Sequence, residues 1–296
     1  MRRRASRFLF ISTFPVVVAA ALAAIAAPAA RPSPAAADPA SAAPTPATAL
    51  AAETPTGVHG GEHHAPVRKP VRKLPPLAPV PSPSAAHPLT ILEIGDSLGE
   101  DLGIGMVATL AGVPHVALEA LAVGDTGLVD TAYYDWQAVL AKDLATYHPA
   151  IVVVMLGGND CQSFYEGDTL ENPGTASFDA VYSARVGALM AEATAAKARV
   201  MWVGMPIMQE PSFSACMAEL NADYAKEAAI HRGATFFSTW ALFQAPGGGY
   251  AEYLTIGGTS VEVRDPDGVH IDPPGGTDLV ASAVVKAIET DYAVKL

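Results

Sequence analysis

The sequence predicts an α/β fold, a parallel β-sheet with helices on both faces. Three observations carry that reading. From Leu89 onward, short apolar runs alternate with segments of helical spacing. One of those runs, 151–156 (IVVVML), is apolar without interruption, the mark of a parallel strand covered on both sides. Half of the 296 residues are hydrophobic and only two are cysteines, so an apolar core and not a disulfide framework holds the chain together.

The elements follow in order. Residues 89–94 (LTILEI) read as a short buried strand, and 99–110 has helical spacing. Residues 115–121 form a second apolar strand. Helical spacing returns over 134–147 and ends before Pro149. The run at 151–156 is the central strand. An Ala-rich helix covers 178–198, and 200–204 (VMWVG) is a fourth strand. Residues 214–232 are helical, and Gly233 suits the position after a helix end. A fifth strand is expected at 235–238. Residues 245–266, with their GGG and GG runs, read as an irregular loop or hairpin. The last helix, 276–290, places Leu279, Val280, Ala283, Val284 and Ile288 on its apolar side. Folds of this class bind ligands beyond the carboxyl ends of the strands.

The first 88 residues are a different material. They carry nine Lys/Arg against three Asp/Glu, a net of +6, and 16 of the 25 prolines. Residues 89–296 carry a net of −18. Such a domain repels phosphates, which argues against nucleic acid or an anionic membrane surface as a partner. Met1 is followed by Arg2, Arg3, Arg4 and Arg7, then by an uncharged run from Phe8 to Ala27. Residues 1–30 therefore read as a secretory signal peptide, with an uncleaved N-terminal anchor as the alternative. Either form exports the chain, and the membrane enters only through an uncleaved segment. Residues 31–88 are rich in Ala, Pro, Ser and Thr, and are expected to form a disordered linker. His59, His63 and His64 lie in it and read as solvated, with no metal site expected. Residues 89–296 are the folded domain.

Three expected sheet edges carry polar motifs. Gly95-Asp96-Ser97-Leu98 follows the first strand, where a serine hydroxyl is exposed beside outward N–H groups, although serine is also an ordinary helix cap. Gly157-Gly158-Asn159-Asp160 follows the central strand, where an asparagine amide can donate to a developing oxyanion or simply shape a turn. Asp267-Gly268-Val269-His270 precedes the last helix, and the spacing lets the carboxylate hold Nδ1 while Nε2 acts as a base. A serine nucleophile needs a base, the base an orienting group, and the tetrahedral intermediate its donors. The three motifs supply these parts together.

These boxes, GDSL at 95–98, GGND at 157–160 and DGVH at 267–270, with Gly124 in LAVGDTG, make the chain resemble the SGNH/GDSL hydrolase family over about residues 89–292. The resemblance implies a flavodoxin-like three-layer α/β/α sandwich with a five-stranded parallel sheet. It implies Ser97 as nucleophile, His270 as base and then acid, and Asp267 as its orienting partner. The oxyanion hole would be Ser97 N–H, Gly124 N–H and the Asn159 side chain. No cofactor or metal is implied. The exported form, with WVGMP at 202–206 and RDPDGVH, resembles a periplasmic subgroup associated with exopolysaccharide acyl groups. The function this implies is a periplasmic serine esterase removing O-acyl groups, chiefly O-acetyl, from a carbohydrate or exopolysaccharide. The alternatives are a polysaccharide O-acetyltransferase using the same triad and a non-catalytic component of an envelope polysaccharide-assembly complex.

Other residues have assignments of their own. Asp96 and Asp160 are expected to brace loops, and Asp125 and Thr126 to shape the turn after Gly124. Gln162 and Tyr165 are candidate substrate contacts, and Arg264 either makes a structural pair with a carboxylate or contacts a sugar. Trp240 and Tyr253 could offer a sugar platform, while Trp202 sits within a strand and reads as core. Cys161 and Cys216 fall near the same sheet edge, and an oxidising compartment would favour a disulfide between them.

Overall fold

The computed structural model describes residues 77–296. The signal or anchor at 1–30, the linker up to residue 76 and its three histidines lie outside the described residues. In chain order the elements are β1 (Leu89–Gly95), α1 (Ser97–Thr109), β2 (Val116–Ala120), α2 (Trp136–Tyr147), β3 (Ile151–Met155), β4 (Phe164–Glu166), β5 (Thr169–Glu171) and α3 (Ala176–Ala195). There follow β6 (Arg199–Val203), α4 (Pro211–Ile230), β7 (Ala234–Phe237), β8 (Tyr253–Ile256), β9 (Thr259–Glu262) and α5 (Gly275–Asp291).

Five strands form one parallel sheet in the order β2-β1-β3-β6-β7. Every residue of β3 is buried, which is why that segment is uniformly apolar. Helices α1 and α5 pack together on one face, while α2 packs on α3 and α3 on α4. This is the three-layer α/β/α sandwich expected. Two short antiparallel hairpins, β4–β5 and β8–β9, stand apart from the sheet. The first was not expected. The second lies within the segment read as loop or hairpin.

Local chemistry sets the boundaries. Asp96, Asp135 and Thr175 cap α1, α2 and α3 by accepting from Leu98, Ala138 and Phe178 N–H groups. Glu210 accepts from Ser212 and Phe213 at the start of α4, which opens on Pro211. Two glycines are required by close approach. A Cβ on Gly95 would stand 2.2 Å from Met155 O, and one on Gly105 would stand 2.1 Å from Thr277 O, where α1 crosses α5.

The linker was expected to run to residue 88, and the structure corrects its end. Val80 is buried, and its N–H donates to Tyr292 O at 3.0 Å. Ser84 and His87 bridge, Lys295 N–H donates to Ser82 Oγ, and the Arg199 guanidinium donates to Ala78 O. A proline-rich segment needs few side chains to dock when one apolar residue enters a core slot and its backbone groups find partners.

Candidate active site

The carboxyl edge of the sheet gathers the three motifs. Ser97 is the first residue of α1, directly after β1, so its N–H lies outside the helical ladder. His270 Nε2 is 2.9 Å from Ser97 Oγ, and His270 Nδ1 is 2.6 Å from Asp267 Oδ2. The other Asp267 oxygen accepts from Val269 N at 2.8 Å and His270 N at 3.0 Å. One carboxylate therefore fixes both the ring and the backbone of the histidine.

The turn at 267–270 is held from several sides. Gly268 has φ +74°, and a Cβ there would fall 2.4 Å from the Gln209 side chain, so the position needs glycine on both counts. Asp101, one turn along α1 from Ser97, accepts from Ile271 N at 2.9 Å. Arg264 is fully buried. It donates to Ile207 O at 2.6 Å, to His270 O at 3.1 Å and to Val269 O. Burial lowers its pKa to about 10, so it remains charged at neutral pH. Of its two readings, the structural one holds with backbone carbonyls in place of a carboxylate, and the substrate contact is corrected. Its guanidinium is sealed inside, and its donors brace the histidine turn, since a buried arginine needs carbonyls to replace its hydration.

Burial works against a charged His270, but the hydrogen bond and charge of Asp267, with Asp101 and Asp265 nearby, raise its pKa overall. Asp267 is also partly desolvated, yet the His270 ring and the two backbone N–H groups hold its carboxyl down at about 2. An ionised carboxylate beside a basic imidazole is the state a general base requires.

The Asn159 loop is equally constrained. Asp160 is buried and accepts from Leu128 N at 2.8 Å, Val129 N at 3.1 Å and the Tyr182 hydroxyl at 2.7 Å. Asp96, also buried, accepts from Gly157 N at 2.8 Å and Gly158 N at 2.7 Å besides capping α1. The two aspartates thus tie the serine turn, the Gly124 loop and the Asn159 loop together. Desolvation is the largest influence on each and lifts both to about 6, against the pull of their donors. Asn159 Nδ2 donates one hydrogen to Thr126 O at 2.8 Å, and its second has no partner among the described residues. Thr126 accepts from Trp136 Nε1 and donates to Val123 O, while Asp125 takes φ +61°. Cys161 and Cys216 are joined as a disulfide with Cα atoms 6.1 Å apart, pinning this loop to α4.

Gly124 stands at the same edge, but its N–H donates to Glu100 Oε1 at 3.0 Å. The group expected to face an oxyanion is held by a carboxylate. Gln162 donates to Asn159 O, and exposed Tyr165 lies on β4. Both line a polar groove of about 280 Å³ with Thr131, Ser163 and Arg185. Trp202 is buried in β6, and Tyr253 is exposed on the β8–β9 hairpin. Glu100 and Asp101 were missed from the sequence. Their signal was the spacing in SLGED, which puts both acids one turn past Ser97 on the same side of the helix.

Among known structures, the fold is similar to that of a candidate acylhydrolase from Bacteroides fragilis, at 16% identity and a TM-score of 0.51, covering 72% of this chain and 91% of that one. A candidate SGNH hydrolase from Slackia heliotrinireducens matches at 22% identity and a TM-score of 0.46, over 67% and 97%. An acetylxylan esterase from Geobacillus stearothermophilus matches at 15% and 0.47, over 70% and 97%. No curated protein matched the sequence. Residues 90–287 match the family described as "Protein of unknown function (DUF459)". The chain belongs to that DUF459 family, and its fold is similar to that of the Bacteroides fragilis protein.

Proposed function

We propose that the protein is an exported serine esterase that removes small O-acyl groups, acetyl above all, from a carbohydrate. The observation that carries this reading is the unbroken chain Ser97 Oγ–His270–Asp267, at 2.9 and 2.6 Å, on the edge where α/β folds place their chemistry. Ser97 attacks the ester carbonyl as His270 takes its proton. The oxyanion meets the Ser97 N–H and the free Asn159 N–H, with Gly124 completing the set once its N–H is released. The tetrahedral intermediate collapses as His270 protonates the sugar oxygen. Water, deprotonated by His270, then cleaves the acyl-serine.

A carbohydrate substrate is favoured by the groove beside the Asn159 loop, where Thr131, Gln162, Ser163 and Arg185 offer polar contacts and Tyr165, 69% exposed, offers a ring face. Export and a periplasmic site of action rest on the basic start and apolar run of residues 1–27.

The test follows p-nitrophenyl acetate turnover by the full chain, with and without a sugar-oligomer acceptor, and labelling by an active-serine phosphonate. Ser97→Ala should abolish both. Labelling that survives this substitution would remove Ser97 as nucleophile. Sugar-stimulated release with acetyl appearing on the oligomer would make the protein an acetyltransferase.

A further inference from the structure

A second acidic site adjoins the triad. Glu93 lies in β1 and points beneath α1, into room left by two glycines. A Cβ on Gly99 would stand 3.2 Å from one Glu93 oxygen, and a Cβ on Gly103 would stand 3.0 Å from the other. Glu93 is 0% exposed, and neither carboxyl oxygen has a hydrogen-bond partner. Leaving such a group unpaired costs stability, and native proteins rarely do so without a use.

Glu93 lines a groove of about 370 Å³ on the edge of the domain between α1 and β2. Ile104, Val107, Ala120 and Ala122 form its apolar walls, and Ile104 and Val107 are 53% and 56% exposed. Glu100 stands at its rim, and no lysine, arginine or histidine lines it. Glu100 also accepts the Gly124 N–H at 3.0 Å, so the groove and the expected oxyanion hole share one side chain.

We infer that this groove binds a primary alkylammonium group, held by Glu93 and Glu100 with its alkyl body on the apolar walls, and that the bound cation draws Glu100 away from Gly124. An ammonium has three donors and a full charge, so it can serve both carboxylates. A neutral hydroxyl or amide brings no charge, and an anion is repelled. In the empty groove, burial first, then the charges on Asp96 and Glu100, raise the Glu93 pKa well above its ordinary value and favour its neutral form. Binding ionises Glu93, and that proton leaves to solvent. Release of Gly124 N–H gives the oxyanion a further donor and removes a carboxylate from its side. The binding stands on the groove alone, while the coupling rests on the esterase reading given above.

The probe is n-butylammonium, with n-butanol as the uncharged control. Calorimetry on the full chain carrying Ser97→Ala should show saturable binding of one butylammonium, with proton release, and no binding of butanol. Glu93→Gln should weaken it at least tenfold. Ile104→Lys, an exposed wall position that places a cation of the chain's own over the acids, should abolish it even if Glu93→Gln fails to fold. Equal binding of butanol, or binding indifferent to Ile104→Lys, overturns the site. In the otherwise unaltered chain, saturating butylammonium should raise p-nitrophenyl acetate turnover at least threefold, and Glu100→Gln should lose that response. Binding without a change in turnover overturns the coupling. Binding in a protein with no Ser97-dependent turnover overturns the esterase reading and leaves the ammonium site standing.

Discussion

Removing the disulfide tests how the Asn159 loop is held. Cys161 and Cys216 are 55 residues apart in sequence, and linking them restricts the unfolded chain. A loop of that length corresponds to about 4 kcal/mol of denatured-state entropy. For a domain of this size the loss would lower Tm by about 8–16 °C, at about 2–4 °C per kcal/mol. In urea the midpoint should fall by about 1–2 M. The assay compares three samples: the oxidised protein, the same protein with reductant, and the double variant Cys161→Ser/Cys216→Ser. The reduced protein and the variant should unfold together, well below the oxidised form. Turnover should fall less than tenfold, because Asp160 anchors the same loop through Leu128, Val129 and Tyr182. If reductant exposes two thiols and the unfolding free energy stays within about 1 kcal/mol of the oxidised value, the entropic argument fails.

Asn159→Ala should lower kcat by roughly 10²–10³ with KM little changed, as expected for a donor acting in the transition state; a KM effect alone would make it a binding residue. The pH profile of kcat/KM should rise through an inflection above 6.5, since His270 must be neutral to act as base and Asp267 raises its pKa. Asp267→Asn should move that inflection down and reduce kcat. The stability linked to His270 is fully present at low pH and is lost as pH rises through its raised value, whereas that linked to Asp267 is present above about 4 and is lost as pH falls toward 2. Urea midpoints across that range check both signs. Arg264→Met should cut kcat more than KM and destabilise the fold by several kcal/mol, at roughly 1–3 kcal/mol for each carbonyl left unpaired; turnover unchanged in a folded variant would sever Arg264 from the histidine turn. A chain starting at Leu77 should match the longer chain in Tm. One starting at Leu89 should lose about 1.5–3 kcal/mol with the burial of Val80.

The sheet was legible because β3 has no polar residue and because short apolar runs alternate with helical spacing along the chain. The meeting of Ser97, His270 and Asp267 was legible because they lie inside short motifs at element ends. The β4–β5 hairpin was not, since three-residue strands with largely exposed side chains leave no periodic signal. Arg264 kept two readings because sequence does not show on which side of a backbone turn a guanidinium ends. Glu93 was hidden inside the apolar run LTILEI, where the strand pattern absorbed one acid without comment. The spacing in SLGED placed Glu100 near Ser97, but its bond to Gly124, 24 residues away, shows only in the structure.

The docking of residues 77–88 sets the polarity of the whole domain. The incoming chain meets Arg199, at the start of β6, and Tyr292, beside Val200, so it joins the sheet at its amino-terminal edge. Ser97 and His270 open at the opposite edge. Residue 77 therefore leaves the domain on the side away from Ser97. A fusion partner joined at Leu77 would stand on that side and leave the path to Ser97 unobstructed.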